Sequence, residues 1–179
     1  MNKIIVAIGG DKMKLNIRKA ITSDAESIAK INVSSWQKTY KNIFPSEFLD
    51  SLSDEINFKN TIMRMQENIK KDNNYLVAEF DNEVVGFCKI GKSTKENYEN
   101  YGEIIALYVK NEEAKKGIGK QLFIAANNLL KETYKNNIVS CIKENLSNNF
   151  YKKMGCVLLG ECDFNLKGVI YKENLYVCP

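Results

Sequence analysis

Not one histidine occurs among the 179 residues. That absence removes Ser-His-Asp and Cys-His nucleophilic machinery and most zinc chemistry, leaving carboxylate, tyrosine, lysine, cysteine or water as general bases. Proline is nearly missing too, with Pro45 and Pro179 the only two, and no Gly/Ser-rich or Pro-rich tract offers a flexible linker. A chain of this size buries one sizeable core, so a single domain over 1–179 is expected, with 1–12 set apart as a candidate N-terminal extension. Long apolar runs are also lacking. The longest, such as Ile4 to Ile8 and Ile104 to Val109, fall far short of the roughly 20 residues that cross a bilayer, and no membrane partner is expected. Without a basic start, an extended apolar stretch and a small-residue cleavage site, the N-terminus does not read as a secretion signal; the expected location is cytoplasmic.

Five cysteines (Cys88, Cys141, Cys156, Cys162, Cys178) with no C-x-x-C pair suggest neither a disulfide framework nor a zinc site. No charge of one sign dominates either. The net +4 comes from lysines scattered among 22 acidic residues, so nucleic acid is not the expected partner, although a locally positive loop still attracts phosphate.

What is present alternates between helical and strand-like patterns. Leu15 to Lys19 reads as a short strand, and Ser23 with Glu26 has capping-box spacing for a helix that puts Ala25, Ile28, Ala29 and Trp36 on one face. Pro45 suits the first turn of a helix through Leu52, and Ser53 suits the cap of a longer helix with Phe58, Ile62, Met65 and Ile69 on one side. From Tyr75 the period changes. Tyr75 to Phe80 and Val84 to Ile90 read as a hairpin around Asp81 and Asn82; Glu103 to Val109 reads as a strand, and Gln121 to Leu130 as an amphipathic helix. A strand at Ile138 to Ile142, a short helix at Ser147 to Lys153, and two strands flanking Asn165 to Gly168 complete a mixed α/β class.

Two segments carry chemistry. After Leu107-Tyr108-Val109, the run Ala114-Lys115-Lys116-Gly117-Ile118-Gly119-Lys120 sets two glycines where a strand gives way to a helix. Glycine permits close backbone approach, and amides at a helix start receive phosphate oxygens; the same glycines equally suit a plain turn. The later run, from Asn145-Leu146-Ser147 through Phe150-Tyr151 to Gly155, joins the first in a pattern that resembles the GNAT acetyltransferases, whose cofactor loop reads Q/R-x-x-G-x-G/A and whose later helix carries an Asn, then Phe-Tyr, then a glycine opening a strand. The resemblance implies a central mixed β-sheet flanked by helices, and transfer of acetyl from acetyl-coenzyme A, without a metal, to the primary amine of a small molecule or peptide. It leaves a homodimer open.

Carried over residue by residue, the resemblance implies that Lys115, Lys116, Gly117, Ile118, Gly119 and Lys120 hold the pyrophosphate, and that Leu107, Tyr108 and Val109 hold the pantetheine arm. It implies Tyr151 near the cofactor sulfur as general acid, with Asn145 beside the cofactor. Glu103 takes the amine proton through water in this reading, while a solvated glutamate at a strand edge is the alternative. Trp36 and Tyr40 are acceptor-side candidates, although aromatics at i and i+4 also suit a helix core. Two positions depart from the pattern: Ala114 stands where the motif has Gln or Arg, and Asn145 lies one residue closer to Tyr151 than usual. These departures leave a non-catalytic, regulatory coenzyme A-binding module as an alternative. A nucleotide-binding domain opening on Ile4 to Gly10 is a third reading, which lacks G-x-G-x-x-G.

Overall fold

The computed structural model describes residues 4–7 and 14–179. Its strands are β1 (Ile4–Ala7), β2 (Lys14–Lys19), β3 (Tyr75–Phe80), β4 (Glu83–Lys92), β5 (Gly102–Val109), β6 (Asn137–Ile142), β7 (Val157–Leu166) and β8 (Val169–Cys178). Its helices are α1 (Ala25–Thr39), α2 (Ser46–Ser51), α3 (Glu55–Lys71), α4 (Ile118–Lys131) and α5 (Asn148–Lys153). The class is mixed α/β. Of the N-terminal segment read as a strand running into glycines, Ile4–Ala7 is a strand and residues 8–10 lie outside the described residues, as does most of the candidate extension 1–12.

The chain forms two compact units. The first holds the described residues up to Lys89 together with Ala106–Ala125. In it β1, β2, β3 and β4 follow one another as antiparallel neighbours. Alternation, reset by one extra residue at Val85, sends Val77, Val84 and Phe87 to the face covered by α1 and α3, where they meet Ile28, Ala29, Met65 and Ile69, with Phe58 and Ile62 partly buried against them. Each fully buried side chain of this size contributes about 1.5–3 kcal/mol. Asp81 and Asn82, both with positive φ (48° and 65°), make the tight hairpin turn expected between β3 and β4.

Three local expectations shift. α1 begins at Ala25, and its entry is fixed by the Asp24 carboxylate rather than by Ser23 and Glu26. Asp24 accepts the Ile21 N–H at 2.8 Å and two guanidinium bonds from Arg18 at 2.6 and 3.0 Å, while Glu26 pairs with Lys30 along the helix. Pro45 precedes α2 instead of entering it. Ser53 donates to the Asp50 carbonyl at 2.9 Å, which closes α2, and the N-cap position of α3 falls on Asp54, without a side-chain bond.

The second unit holds Ile90–Ile105 and Ala126–Pro179. Gly102–Ile104 of β5 pairs in parallel with Asn137–Val139 of β6, β6 pairs antiparallel with β8, and β8 pairs antiparallel with β7. Ile104, Leu130, Ile138, Val139 and Tyr176 are buried here. Among the described residues, no helix is long and apolar enough to cross a membrane.

Candidate active site

In the first unit, β3 and β4 shift register at Ala78/Glu79, leaving Val85 as the extra residue. The Val85 carbonyl accepts the Lys110 N–H at 2.8 Å, which fixes the end of β5. Next to it, Gly86 packs against the same segment so tightly that a Cβ there would lie 3.0 Å from the Tyr108 carbonyl oxygen and 3.1 Å from a Leu122 methyl. Tyr108 packs its ring on Phe87, with centroids 5.7 Å apart, and its hydroxyl is 3.4 Å from that of Tyr40. Tyr40 is 8% exposed, stacked on Phe44 at 4.6 Å and set edge-on to the partly exposed Trp36 at 5.1 Å. Tyr40 therefore has the burial of a core aromatic and also touches a residue of the candidate cofactor strand.

Beyond β5, Asn111–Glu113 form a short 3-10 turn and Ala114 is extended. Lys115 (φ 65°) and Gly117 (φ 83°) are both left-handed. The first α-helical bond of α4 runs from Gln121 N–H to the Gly117 carbonyl at 3.2 Å, so the amides of Ile118, Gly119 and Lys120 have no acceptor within the helix. No acidic residue sits in this first turn. Successive amides around left-handed residues, leading into a helix start, form an anion-binding concavity, which fits a pyrophosphate. Ile118 and Leu122 are buried and root the helix, whereas Ala114, Lys115, Lys116, Gly117 and Lys120 face solvent. Lys116 pairs with Glu113 at 2.9 Å, a surface contact of small energy. A groove of about 480 Å³ lies nearby, lined in part by Lys30, Ser34, Gln37, Phe58, Lys110 and Glu112; Trp36 and Tyr40 are not among its lining residues.

In the second unit, Glu103 stands at the start of β5 opposite Ile138. It is only 6% exposed, which overturns the solvated strand-edge alternative. Burial pushes the carboxyl pKa above the ordinary glutamate value, and the charge of Glu173 adds to this, against the opposing pull of the Lys95 charge and of the Ser93 side chain and Thr94 backbone. Lys95 itself is 2.6 Å from Glu173. Sequence reasoning missed Ser93, Lys95 and Glu173, because no local pattern marks side chains that meet across 78 positions.

Tyr151 lies on α5, 7% exposed, with ring centroids 5.3 Å from Phe150 and 6.2 Å from Tyr176. Its carbonyl accepts the Cys156 N–H at 3.0 Å, and the Cys156 and Cys178 sulfurs are 3.0 Å apart as free thiols. The side-chain amide oxygen of Asn145 accepts the Ser147 N–H at 2.8 Å, a turn-closing role. Asn148, also missed, is the hub of this region. Its amide nitrogen reaches the carbonyls of Ile142, Lys143 and Asn145 at 2.9, 3.2 and 2.6 Å, and its oxygen accepts from Asn174 and the Tyr176 hydroxyl at 2.9 and 2.8 Å.

A family model for the acetyltransferase (GNAT) domain matches residues 71–157, the stretch that holds the loop, Glu103 and Tyr151. An uncharacterised N-acetyltransferase of Bacillus subtilis is 30% identical over 162 residues, covering 89% of this chain and 90% of that protein. The chain belongs to the GNAT family of N-acetyltransferases. A spermidine N(1)-acetyltransferase of Thermoplasma acidophilum is 32% identical over 133 residues, 72% of this chain and 76% of that protein. The crystal structure of the PaiA N-acetyltransferase of Thermoplasma acidophilum with coenzyme A shares the fold at TM-score 0.65 and 23% identity, covering 89% of this chain and 97% of that one. As a GNAT enzyme the chain is an acyltransferase that uses acetyl-coenzyme A as its acetyl donor.

Proposed function

We propose that this GNAT enzyme acetylates a primary amine by direct transfer, with Glu103 taking the amine proton through water and Tyr151 protonating the departing thiolate. Acetyl-coenzyme A supplies an activated thioester, so no covalent acyl-enzyme is needed. The observation that carries the reading is the burial of Glu103. A carboxylate whose charge is disfavoured by burial holds its proton closer to working pH than a solvated one, which suits a base facing an amine that must lose a proton before attack.

The other roles follow from local geometry. The amides from Lys115 to Lys120, set by the left-handed Lys115 and Gly117, would receive the pyrophosphate. Backbone groups of Leu107, Tyr108 and Val109 would hold the pantetheine arm, with the Val109 N–H polarising the thioester carbonyl. Because the Asn145 oxygen is already engaged by Ser147, its cofactor contact would come from the side-chain NH₂. Trp36 and Tyr40 would border the acceptor through the contact of Tyr40 with Tyr108. A cytoplasmic location is in keeping with the five cysteines standing as free thiols, and the spermidine enzyme among the relatives makes a polyamine the first acceptor to test.

The test measures thiol release from acetyl-coenzyme A with a panel of amines headed by spermidine and including a peptide with a free N-terminus. The expected result is turnover with at least one primary amine and its loss in Glu103→Gln at low pH. Folded protein that binds acetyl-coenzyme A yet turns over no amine overturns the proposal and favours the regulatory alternative.

A further inference from the structure

Five cysteines stand as free thiols, and the reaction as proposed uses none of them. Two of them meet. Cys156 and Cys178 place their sulfurs 3.0 Å apart, with the residues only 6% and 7% exposed. The strands bring this about. Val157 of β7 faces Val177 of β8 in the antiparallel register, and one further step along both strands sets 156 opposite 178. Opposite residues of an antiparallel pair have Cα atoms roughly 4.5–5.5 Å apart, inside the range of about 4.4–6.8 Å that a disulfide spans. Both positions are also held. The Cys156 N–H donates to the Tyr151 carbonyl at 3.0 Å, Cys178 pairs with Asn137 of β6, and the Asn127 side chain donates to the Pro179 carbonyl at 2.5 Å. Burial raises the thiol pKa values of Cys88, Cys141 and Cys162, that of Cys141 to about 12. Cys156 differs, because the hydrogen bond shared with Cys178 steadies its thiolate and lowers its pKa, while the same bond raises that of Cys178.

We propose that Cys156 and Cys178 form a site of reversible oxidation, at which hydrogen peroxide converts the two thiols to an intrachain disulfide that closes the β7–β8 hairpin. The Cys156 thiolate attacks one peroxide oxygen and breaks the O–O bond, giving a sulfenic acid and a hydroxide, which takes up the proton that Cys156 had released. The Cys178 sulfur then attacks the Cys156 sulfur, the S–O bond breaks, and the Cys178 proton leaves with that oxygen as a second water. Two thiols and one peroxide give one disulfide and two waters, the sulfurs losing the two electrons that the peroxide gains. Little movement is needed. An S–S bond is about 2.05 Å long, so the sulfurs close by about 1 Å while the register supplies the rest. Size selects the oxidant. Gly155, Val157 and Pro179 beside the pair are exposed, which leaves the sulfurs one residue beneath the surface, within reach of a peroxide but covered against a bulky reagent. Capture by Cys178 also stops Cys156 at the first, reversible step of thiol oxidation.

To test this, the reduced full chain is treated with a small excess of hydrogen peroxide at neutral pH, the remaining thiols are alkylated in denaturant, and unreduced peptides are mapped by mass spectrometry. A disulfide joining the Cys156 and Cys178 peptides is expected before Cys88 or Cys141 reacts, and dithiothreitol should restore both thiols. In Cys178→Ser, dimedone should trap a sulfenic acid at Cys156, and more peroxide should carry that residue to the sulfinic acid which the wild type escapes. In Cys156→Ser, Cys178 should keep its thiol. The proposal is overturned if Cys156 and Cys178 of the wild type both stay alkylatable after the partly exposed Cys162 has been oxidised, or if either pairs with another cysteine or across two chains. This arm needs no variant to fold. Sulfenic acid at Cys178 in Cys156→Ser, formed as fast as that at Cys156 in Cys178→Ser, overturns Cys156 as the attacking thiol.

Discussion

Gly86 and Tyr108 are in such close contact that any side chain at 86 would press on the Tyr108 carbonyl oxygen, 3.0 Å from where a Cβ would sit. Leu122 and Val109 close the other sides, at 3.1 and 3.3 Å. Gly86→Val should therefore destabilise the protein by about 1–3 kcal/mol, as overpacking does, lowering Tm by several degrees. Because the displaced strand carries Leu107 to Val109, acetyl-coenzyme A affinity should fall with it. Thermal melts and calorimetry on the one variant check both effects.

The loop variant Gly117→Val works differently. A Cβ at 117 meets nothing within 4 Å, but φ is +83°, a conformation that costs an L-residue about 1–2 kcal/mol. The loop should relax away from its left-handed form, weakening acetyl-coenzyme A binding with little loss of overall stability. Combining it with Gly119→Val should weaken binding further. Calorimetric affinity equal to wild type in the double variant would remove the pyrophosphate role.

Tyr151→Phe deletes only a hydroxyl. If that hydroxyl protonates the leaving thiolate, kcat should drop by about 10²–10⁴-fold with acetyl-coenzyme A affinity unchanged. Glu103→Gln should reduce rates most at low pH, where fewer amine molecules are already neutral. Wild-type turnover in both variants across the pH range would move the chemistry elsewhere.

Acid stability should depend on Asp24. Burial alone would raise its pKa, yet the Arg18 hydrogen bonds and the Ile21 N–H hold it below the ordinary aspartate value. The sign follows: stability from this group is fully present above the unfolded pKa, near 3.9, and is lost as pH falls toward and through the lowered folded value. Asp24→Asn should cost about 1–3 kcal/mol near pH 7, as for a charge-assisted buried hydrogen bond, and should flatten the fall of Tm between about pH 4 and 2. Melts of both proteins over pH 2–7 test this.

The sequence made the regular elements readable where period and turn chemistry agree. Tyr75–Phe80 and the Asp81-Asn82 turn are found as expected because both signals are local. The helix α1 is found as expected, but its entry falls to Asp24 rather than Ser23, since both are capping types and only Arg18, placed by β2, favours Asp24. Within the candidate site, the glycine loop was legible from its own residues. The Lys95–Glu173 pair was not, for it forms only once β8 has paired with β6. Likewise, the approach of Tyr40 to Tyr108 spans 68 positions and depends on how α1 packs over β5.

Asn148 spends every donor and acceptor it has, serving three carbonyls with two hydrogens while its oxygen receives both Asn174 and Tyr176. Aspartate has the right shape but would turn a second oxygen toward those carbonyls, and leucine would remove all five bonds, with backbone N–H groups still serving the Ile142 and Asn145 carbonyls. Drift at this position is therefore coupled to drift at 174 and 176. The junction between α5, which bears Tyr151, and β8 should change over evolutionary time as one block or not at all.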